Sequence, residues 1–209
     1  MLRKLKKSQF LLVLMAVIML VTAPNASADV QPSQSMTHMK TTPGLISALE
    51  GVGVVLYVQG GATSGVIGDS IAMANSQVVF HIPITGSKSA VQHIGSTIVF
   101  FNTANNSHVQ LRNPVIDLGK GVVTATIPQA SNQSLTVLTI RNNAELKAKV
   151  TTDKKTRIRS TAYVGANLSL APGLASTLNE LLGLPANTLA DGSNFGSADV
   201  TLKRVVKKV

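Results

Sequence analysis

The chain of 209 residues is predicted to fold as a mainly β domain, an antiparallel sandwich or a barrel-like sheet, with one α-helix near residues 172–183. Three observations favour this class. Short apolar or alternating runs recur between residues 52 and 150, and most of them end at Gly, Asn or Thr-Gly. Such residues are typical of tight turns. Short strands separated by regular turn signals are typical of antiparallel sheets.

The first elements after residue 28 are a polar segment and a short helix. Residues 29–42 are polar and contain several Ser and Thr, which predicts a flexible lead-in. Residues 43–50 are predicted to form one or two helical turns, since Pro43 suits the first helical position and Gly51 suits the end. A single β-rich domain is therefore assigned to residues 43–209.

Strands are predicted from residue 52 onward. The near-continuous apolar run 52–58 is typical of a buried strand, and residues 60–68 are predicted to be a glycine-rich loop. Residues 108–116 alternate apolar with polar side chains, as half-buried strands do. The predicted strands are 52–58, 78–84, 94–101, 108–116, 122–127, 135–140, 146–150 and 198–206.

The predicted helix rests on one apolar stripe bounded by a proline and a glycine. Pro172 stands near its start and Gly183 at its end, the usual positions of these residues. Between them, leucines recur at helical spacing, which places them on one face. These leucines are Leu174, Leu178, Leu181 and Leu182.

Residues 1–28 have the pattern of a secretory signal peptide. Basic residues within positions 3–7 precede an apolar run at 10–23, and Ala26-Ser27-Ala28 offers a cleavage site before Asp29. The apolar run is shorter than the roughly 20 residues that span a bilayer, although an uncleaved anchor is the alternative. We therefore expect an exported protein, secreted or associated with the cell envelope, with no transmembrane segment once the signal is removed.

Composition limits the chemistry of the predicted mature chain. Cysteine is absent, which excludes disulfides, thiolate metal sites and a cysteine nucleophile. Trp is absent and there are only two Tyr and five Phe, which disfavours stacking on nucleic-acid bases or sugars. Four of the 19 basic residues lie in the signal, so 15 remain against nine acidic residues, a net charge of +6. An anionic polymer of the cell envelope, and no nucleic acid, is the expected partner.

A basic hairpin is predicted over residues 146–163, with its turn at 152–155. A period of two puts four of its cations on solvent faces and, if the register allows, on one shared face, while two more stand at the tip. The hairpin is interpreted as a contact for an anionic polymer or for lipid headgroups. The alternative is a solvated face whose lysines discourage aggregation. The cations are Lys147, Lys149, Lys154, Lys155, Arg157 and Arg159.

No motif indicates catalysis or metal binding. The chain lacks a nucleophile elbow, a Ser-x-x-Lys pair, a His-Glu-x-x-His helix and a phosphate-binding loop. Its nine acidic residues are scattered, and Asp117 and Asp199 are predicted to cap turns. A paired-carboxylate enzyme stays open, because such a pair forms only in three dimensions. The four histidines show no ligand spacing, so no metal site is predicted.

Several short motifs follow one another in a fixed order over residues 43–202. They are Ile82-Pro83-Ile84-Thr85-Gly86, His93-Ile94-Gly95, Asn113-Pro114-Val115-Ile116-Asp117, Gly121-Val122-Val123-Thr124-Ala125 and Phe195-Gly196-Ser197-Ala198. This order resembles HtaA-type domains of actinobacterial envelope and secreted proteins. The resemblance implies a β-rich, exported domain that is not an enzyme.

In the HtaA-type domains proper, the resemblance also implies haem binding through a tyrosine, with a histidine assisting. His93 matches that histidine, but residues 44–54 contain no tyrosine, so Tyr57 or Tyr163 would have to serve. The leading prediction is therefore a non-catalytic binding or structural module without a cofactor. A haem-binding protein of an iron-uptake system is the first alternative, and an enzyme with an unrecognised carboxylate site is the second.

Overall fold

The computed structural model describes residues 34–67 and 77–206, and it is mainly β, as predicted. The predicted signal peptide at 1–28 lies outside the described residues. The strands are β1 Met36–Thr41, β2 Val54–Gly60, β3 Thr63–Ile67, β4 Gln77–Pro83, β5 Val91–Gln92, β6 Ser96–Asn102, β7 His108–Asp117, β8 Val122–Ile127, β9 Gln133–Ile140, β10 Lys149–Asp153, β11 Ile158–Leu170 and β12 Asn194–Val205.

All twelve strands belong to one antiparallel sheet that curls into a nearly closed barrel. The order along the sheet is β2-β6-β7-β8-β9-β11-β12-β1-β4-β3, with β5 paired to β7 and β10 paired to β11. The two ends of this path, β2 and β3, are consecutive in the chain and are separated only by Gly61 and Ala62. Closure leaves few exposed strand edges, which limits pairing with other chains.

Two α-helices lie at one end of the barrel, where β1 and β11 end and β2 and β12 begin. Helix α1, Leu45–Gly51, joins β1 to β2, and helix α2, Leu174–Leu182, joins β11 to β12. Each buries apolar side chains against the core, including Ile46 and Leu49 from α1. The leucine stripe of α2 is confirmed, because Leu174, Leu178 and Leu182 are all buried.

The core fills the barrel interior with the side chains of alternate residues. In β8, for example, Val123, Ala125 and Ile127 are buried, while the residues between them are half-exposed. Burial therefore alternates with a period of two, as expected for a sheet with one buried face and one solvent-exposed face. Phe80 and Phe100 are the largest fully buried aromatic side chains.

The predicted flexible lead-in is wrong for its second half. Residues Met36–Thr41 form β1, which lies inside the sheet between β12 and β4. Thr37, Met39 and Thr41 point into the barrel and are buried, whereas His38 is exposed. The strand was missed because two of its three inward side chains are threonines, so the inward face does not read as apolar.

Two other predicted boundaries are also corrected. The glycine-rich loop predicted at 60–68 contains strand β3, which pairs with β4 at the end of the sheet. Its residues 63–66 are exposed, so no buried alternation marked it as a strand. The strand predicted at 146–150 is shifted to Lys149–Asp153, because the pairing with β11 begins only at Lys149.

No helix within residues 34–67 and 77–206 has the length and apolar character needed to cross a membrane.

Candidate functional site

The basic hairpin extends into a three-stranded arm at the barrel end opposite the helices. Only residues 168–170 of β11 pair with β9, whereas residues 158–162 pair with β10 instead. Across β11 from β10 lies the last part of β12, up to Val205. We call residues 149–163 and 201–205 the basic arm. It carries seven cations, Lys149, Lys154, Lys155, Arg157, Arg159, Lys203 and Arg204, and one carboxylate, Asp153.

The register divides these cations between two faces, so the expected single shared face is wrong. Lys149 pairs with Ala162, whereas Arg159 pairs with Thr152. Directly paired residues share a face and neighbours along a strand alternate, so Lys149 and Arg159 point to opposite sides. Arg157 belongs to the turn, where its φ of 56° is left-handed. Lys147 precedes β10 and is exposed.

The single carboxylate of the arm is occupied by its own turn. Asp153 Oδ1 accepts hydrogen bonds from the backbone N–H groups of Lys155, at 2.8 Å, and Thr156, at 3.2 Å. Hydrogen bonds from the Thr156 side chain and from these two N–H groups hold the pKa of Asp153 below its ordinary value. This Asp therefore shapes the hairpin tip, where Lys154 and Lys155 are exposed.

A cleft of about 360 Å³ lies against one face of the basic arm. The arm contributes one wall, through five side chains that we call its inner face. The opposite wall comes from residues 87–91 and from Ile116, Leu118 and Gly119 at the end of β7 and just beyond it. Among the residues that the structure describes, no Asp or Glu lines the cleft. The inner face consists of Arg159, Thr161, Tyr163, Leu202 and Arg204.

Two arginines of the inner face stand directly opposite each other. Arg159 of β11 pairs with Arg204 of β12, an arrangement that places two positive charges side by side. Arg204 reaches the other wall, where its Nη2 donates to Ser87 Oγ at 2.7 Å and to the Ser87 carbonyl at 3.1 Å. Lys88, exposed on that wall, adds a third positive charge. The cleft is therefore a concave, cationic surface.

Sequence reasoning missed this cleft, although Arg159 and Tyr163 were both candidates. Residues 87–91, a Ser-Lys-Ser-Ala-Val loop that ends in β5, carry no motif, and they face the arm only because the sheet closes. No signal in the sequence pairs this loop with β12, more than 100 residues further along the chain.

His93 lies inside the barrel with 1% of its surface exposed. Its Nδ1 lies 2.9 Å from the Pro114 carbonyl oxygen, and its Nε2 lies 2.8 Å from Thr37 Oγ1. A carbonyl only accepts, so Nδ1 carries the proton. Desolvation by burial lowers the pKa of His93 from 6.5 to about 4, although the Pro114 carbonyl opposes the shift. The ring is therefore neutral near pH 7, and Nε2 accepts from the Thr37 hydroxyl.

The three residues of the haem alternative do not meet in one cavity. The cavity beside His93 has a volume of about 20 Å³ and is apolar, far below the size of a porphyrin. Tyr163 lines the cleft instead. Tyr57 lies on the face of β2 opposite the buried Val54 and Leu56. This arrangement gives no support to iron ligation by His93, whose two ring nitrogens are both hydrogen-bonded.

Four of the described carboxylates accept backbone N–H groups at a turn, at a strand bulge or at the start of a helix. Asp117 accepts from the N–H of Lys120, and Asp199 accepts from the N–H of Gly165 at a bulge in β11. The predicted turn-capping role of Asp117 is thereby confirmed. Asp191 and Glu180 line one groove of about 380 Å³ beside α2. The Asp191 carboxylate accepts hydrogen bonds from the backbone N–H groups of Gly173 and Ala175, and these bonds stabilise the start of the helix.

Strand β1 brings together two histidines that sequence reasoning treated separately. His38 and His81 are paired across β1 and β4, with ring centroids 4.8 Å apart in an edge-to-face contact. The pair depends on the register between β1 and β4, which the sequence does not reveal. Within the residues that the structure describes, no group of three or more His, Asp or Glu side chains is placed to hold a metal ion.

No family model, no curated protein and no solved structure matches this chain. The resemblance to HtaA-type domains therefore stays a prediction that rests on the motifs alone.

Proposed function

We propose that this protein is an exported, non-catalytic binding module that contacts an anionic polymer of the cell envelope through its basic arm. The predicted signal peptide supports export, and the net charge of +6 after its removal supports an acidic partner. The observation that carries the proposal is the charge of the arm: seven cations and one carboxylate, which is already engaged in its own turn.

The arm is suited to a polymer because its charges are spread rather than gathered at one point. All of β10 is exposed, and so is the tip with Lys154, Lys155 and Arg157. Cations on both faces and at the tip allow repeating negative groups to be contacted along a length of chain. Each exposed contact is weak and is screened by salt, so affinity would come from several of them together.

The test measures binding of the purified chain, from residue 29 onward, to immobilised poly(glycerol phosphate) teichoic acid, with neutral dextran as the reference. We expect binding to teichoic acid alone, weakened about tenfold or more between about 50 mM and about 500 mM NaCl. Equal binding to dextran, or affinity that is independent of salt, would contradict the proposal.

A matched pair of double variants separates the arm from total charge. Lys154→Gln with Lys155→Gln removes two charges at the tip, and Arg112→Gln with Arg141→Gln removes two exposed charges elsewhere on the barrel. We expect the tip variant to bind several-fold more weakly and the barrel variant to bind nearly as the parent does. Equal losses in the two variants would show that net charge, and not the arm, determines binding.

A further inference from the structure

We propose that the cleft beneath the basic arm binds an amphiphilic anion, with its acidic head between Arg159 and Arg204 and its apolar part against Ile116 and Leu202. This site uses the inner face of the arm together with the opposite wall of the cleft, whereas the polymer contact proposed above uses the exposed cations of both faces and of the tip. The two proposals share the positive charge of the arm, and each can fail without the other.

The charge arrangement supports an anionic head group. Arg159 and Arg204 are directly opposite each other on neighbouring strands, where like charges repel. Lys88 lies on the other wall, and no carboxylate is among the described residues that line the cleft. An anion between them would replace repulsion with charge-assisted hydrogen bonds, and guanidinium groups match the geometry of phosphate or carboxylate oxygens.

Arg204 is already held in place for this role. Its guanidinium donates to the hydroxyl and the carbonyl of Ser87, so its position across the mouth is fixed before any ligand arrives. A side chain that is ordered in advance loses less conformational entropy on binding. The same contact joins the two walls of the cleft.

The apolar lining distinguishes this cleft from a simple anion site. Val91 and Ile116 are buried, and Leu118 and Leu202 are half-buried. Ile116 also lines the small apolar cavity inside the barrel, so the cleft floor is continuous with the core. A volume of about 360 Å³ is near the lower end of ligand-binding cavities. It suits a head group with a short alkyl chain, and burying the chain adds affinity that a bare anion lacks.

The experiment is isothermal titration calorimetry of the purified chain with three probes: octyl phosphate, inorganic phosphate and octyl glucoside, all below their micellar concentrations. Octyl phosphate carries both parts of the proposed ligand, and each of the other two lacks one part. We expect octyl phosphate to bind about tenfold or more tightly than either control. If inorganic phosphate binds as tightly as octyl phosphate, or if octyl glucoside does, the proposal is overturned.

Neighbouring residues on opposite faces of β12 provide matched variants. Arg204→Gln removes a charge inside the cleft, and Lys203→Gln removes one from the opposite face. We expect Arg204→Gln to weaken octyl phosphate about tenfold and Lys203→Gln to change it less than about twofold. Because Arg204 also bonds Ser87, Arg159→Gln is a second charge variant whose side chain is exposed. Unchanged affinity in a folded Arg159→Gln or Arg204→Gln protein refutes the site.

A steric variant tests the volume without changing charge. Ser89 is exposed and lines the cleft, so Ser89→Trp would fill part of it, and we expect octyl phosphate binding to fall about tenfold. Retained octyl phosphate binding in Ser89→Trp would place the ligand elsewhere. If the purified chain binds octyl phosphate but not teichoic acid, only the polymer contact is rejected. If it binds teichoic acid but not octyl phosphate, only the cleft site is rejected.

Discussion

Acidification is expected to destabilise this protein through a single buried ring. His93 has a pKa of about 4 in the folded protein, against 6.5 for an exposed histidine, because burial disfavours its charged form. Between these two values the unfolded chain binds a proton that the folded chain does not. The stability that the neutral ring confers is therefore complete above about pH 6.5, and it is lost as the pH falls from 6.5 towards 4.

The size of this loss follows from the two pKa values. The difference between the folded and unfolded pKa values of His93 corresponds to a loss of on the order of 3 kcal/mol in the free energy of unfolding once the titration is complete. Between pH 7 and pH 4.5 most of it appears, about 2–3 kcal/mol. A domain of ordinary stability has about 5–15 kcal/mol in total, so the change is large enough to measure.

The assay is urea unfolding followed by circular dichroism at both pH values. His93→Gln serves as the comparison, because it removes the titrating ring and leaves every carboxylate in place. We expect the parent to lose about 2–3 kcal/mol more than the variant on acidification. If the two proteins lose the same free energy, the reasoning about His93 is wrong.

A second measurement needs no variant. Nitrogen-15 spectra of the ring should show the neutral form with the proton on Nδ1 at about pH 5.5, a pH at which an exposed histidine is mostly protonated. The Nδ1 proton follows from the Pro114 carbonyl, which only accepts. A charged ring at that pH, or a proton on Nε2, would contradict the structure.

Two further predictions concern the barrel itself. Gly196→Ala should destabilise the protein by more than about 3 kcal/mol in urea unfolding, because a Cβ there would overlap the Lys40 backbone carbonyl in the neighbouring strand. Gly51→Ala is the control: space around this glycine is open, so stability should change by less than about 1 kcal/mol. Similar effects of the two substitutions would refute the close approach at Gly196. A chain that starts at Gln34 should unfold cooperatively in urea. A chain that starts at Pro43 should not, because the shorter chain lacks β1, which pairs with both β12 and β4. Cooperative unfolding of the shorter chain would show that β1 is dispensable.

The fold class was predictable because it depends on local patterns. Alternation along residues 108–116 identified a strand that the structure confirms as β7, and the strand predicted at 122–127 is confirmed as β8. The leucine stripe between Pro172 and Gly183 identified α2. In each case one face is apolar and the other is polar, so the period of the pattern reports the secondary structure directly.

The elements that were missed lack that contrast. β1 places Thr37 and Thr41 inside the barrel, and Thr41 Oγ1 accepts the backbone N–H of Val78 there. A threonine whose hydroxyl is hydrogen-bonded tolerates burial, but in the sequence it reads as polar. The side chains of β3 that the structure describes are exposed, so no apolar face marked this strand.

The sequence by itself determined a cysteine-free, mainly β domain with a helix at a known place and a basic hairpin near residue 150. Only the tertiary structure decided that Lys149 and Arg159 point to opposite faces, that His93 lies in the interior, and that the loop at 87–91 faces β12. Secondary structure follows from neighbours along the chain. Faces, burial and clefts follow from strand register and barrel closure, which join residues that are distant in sequence.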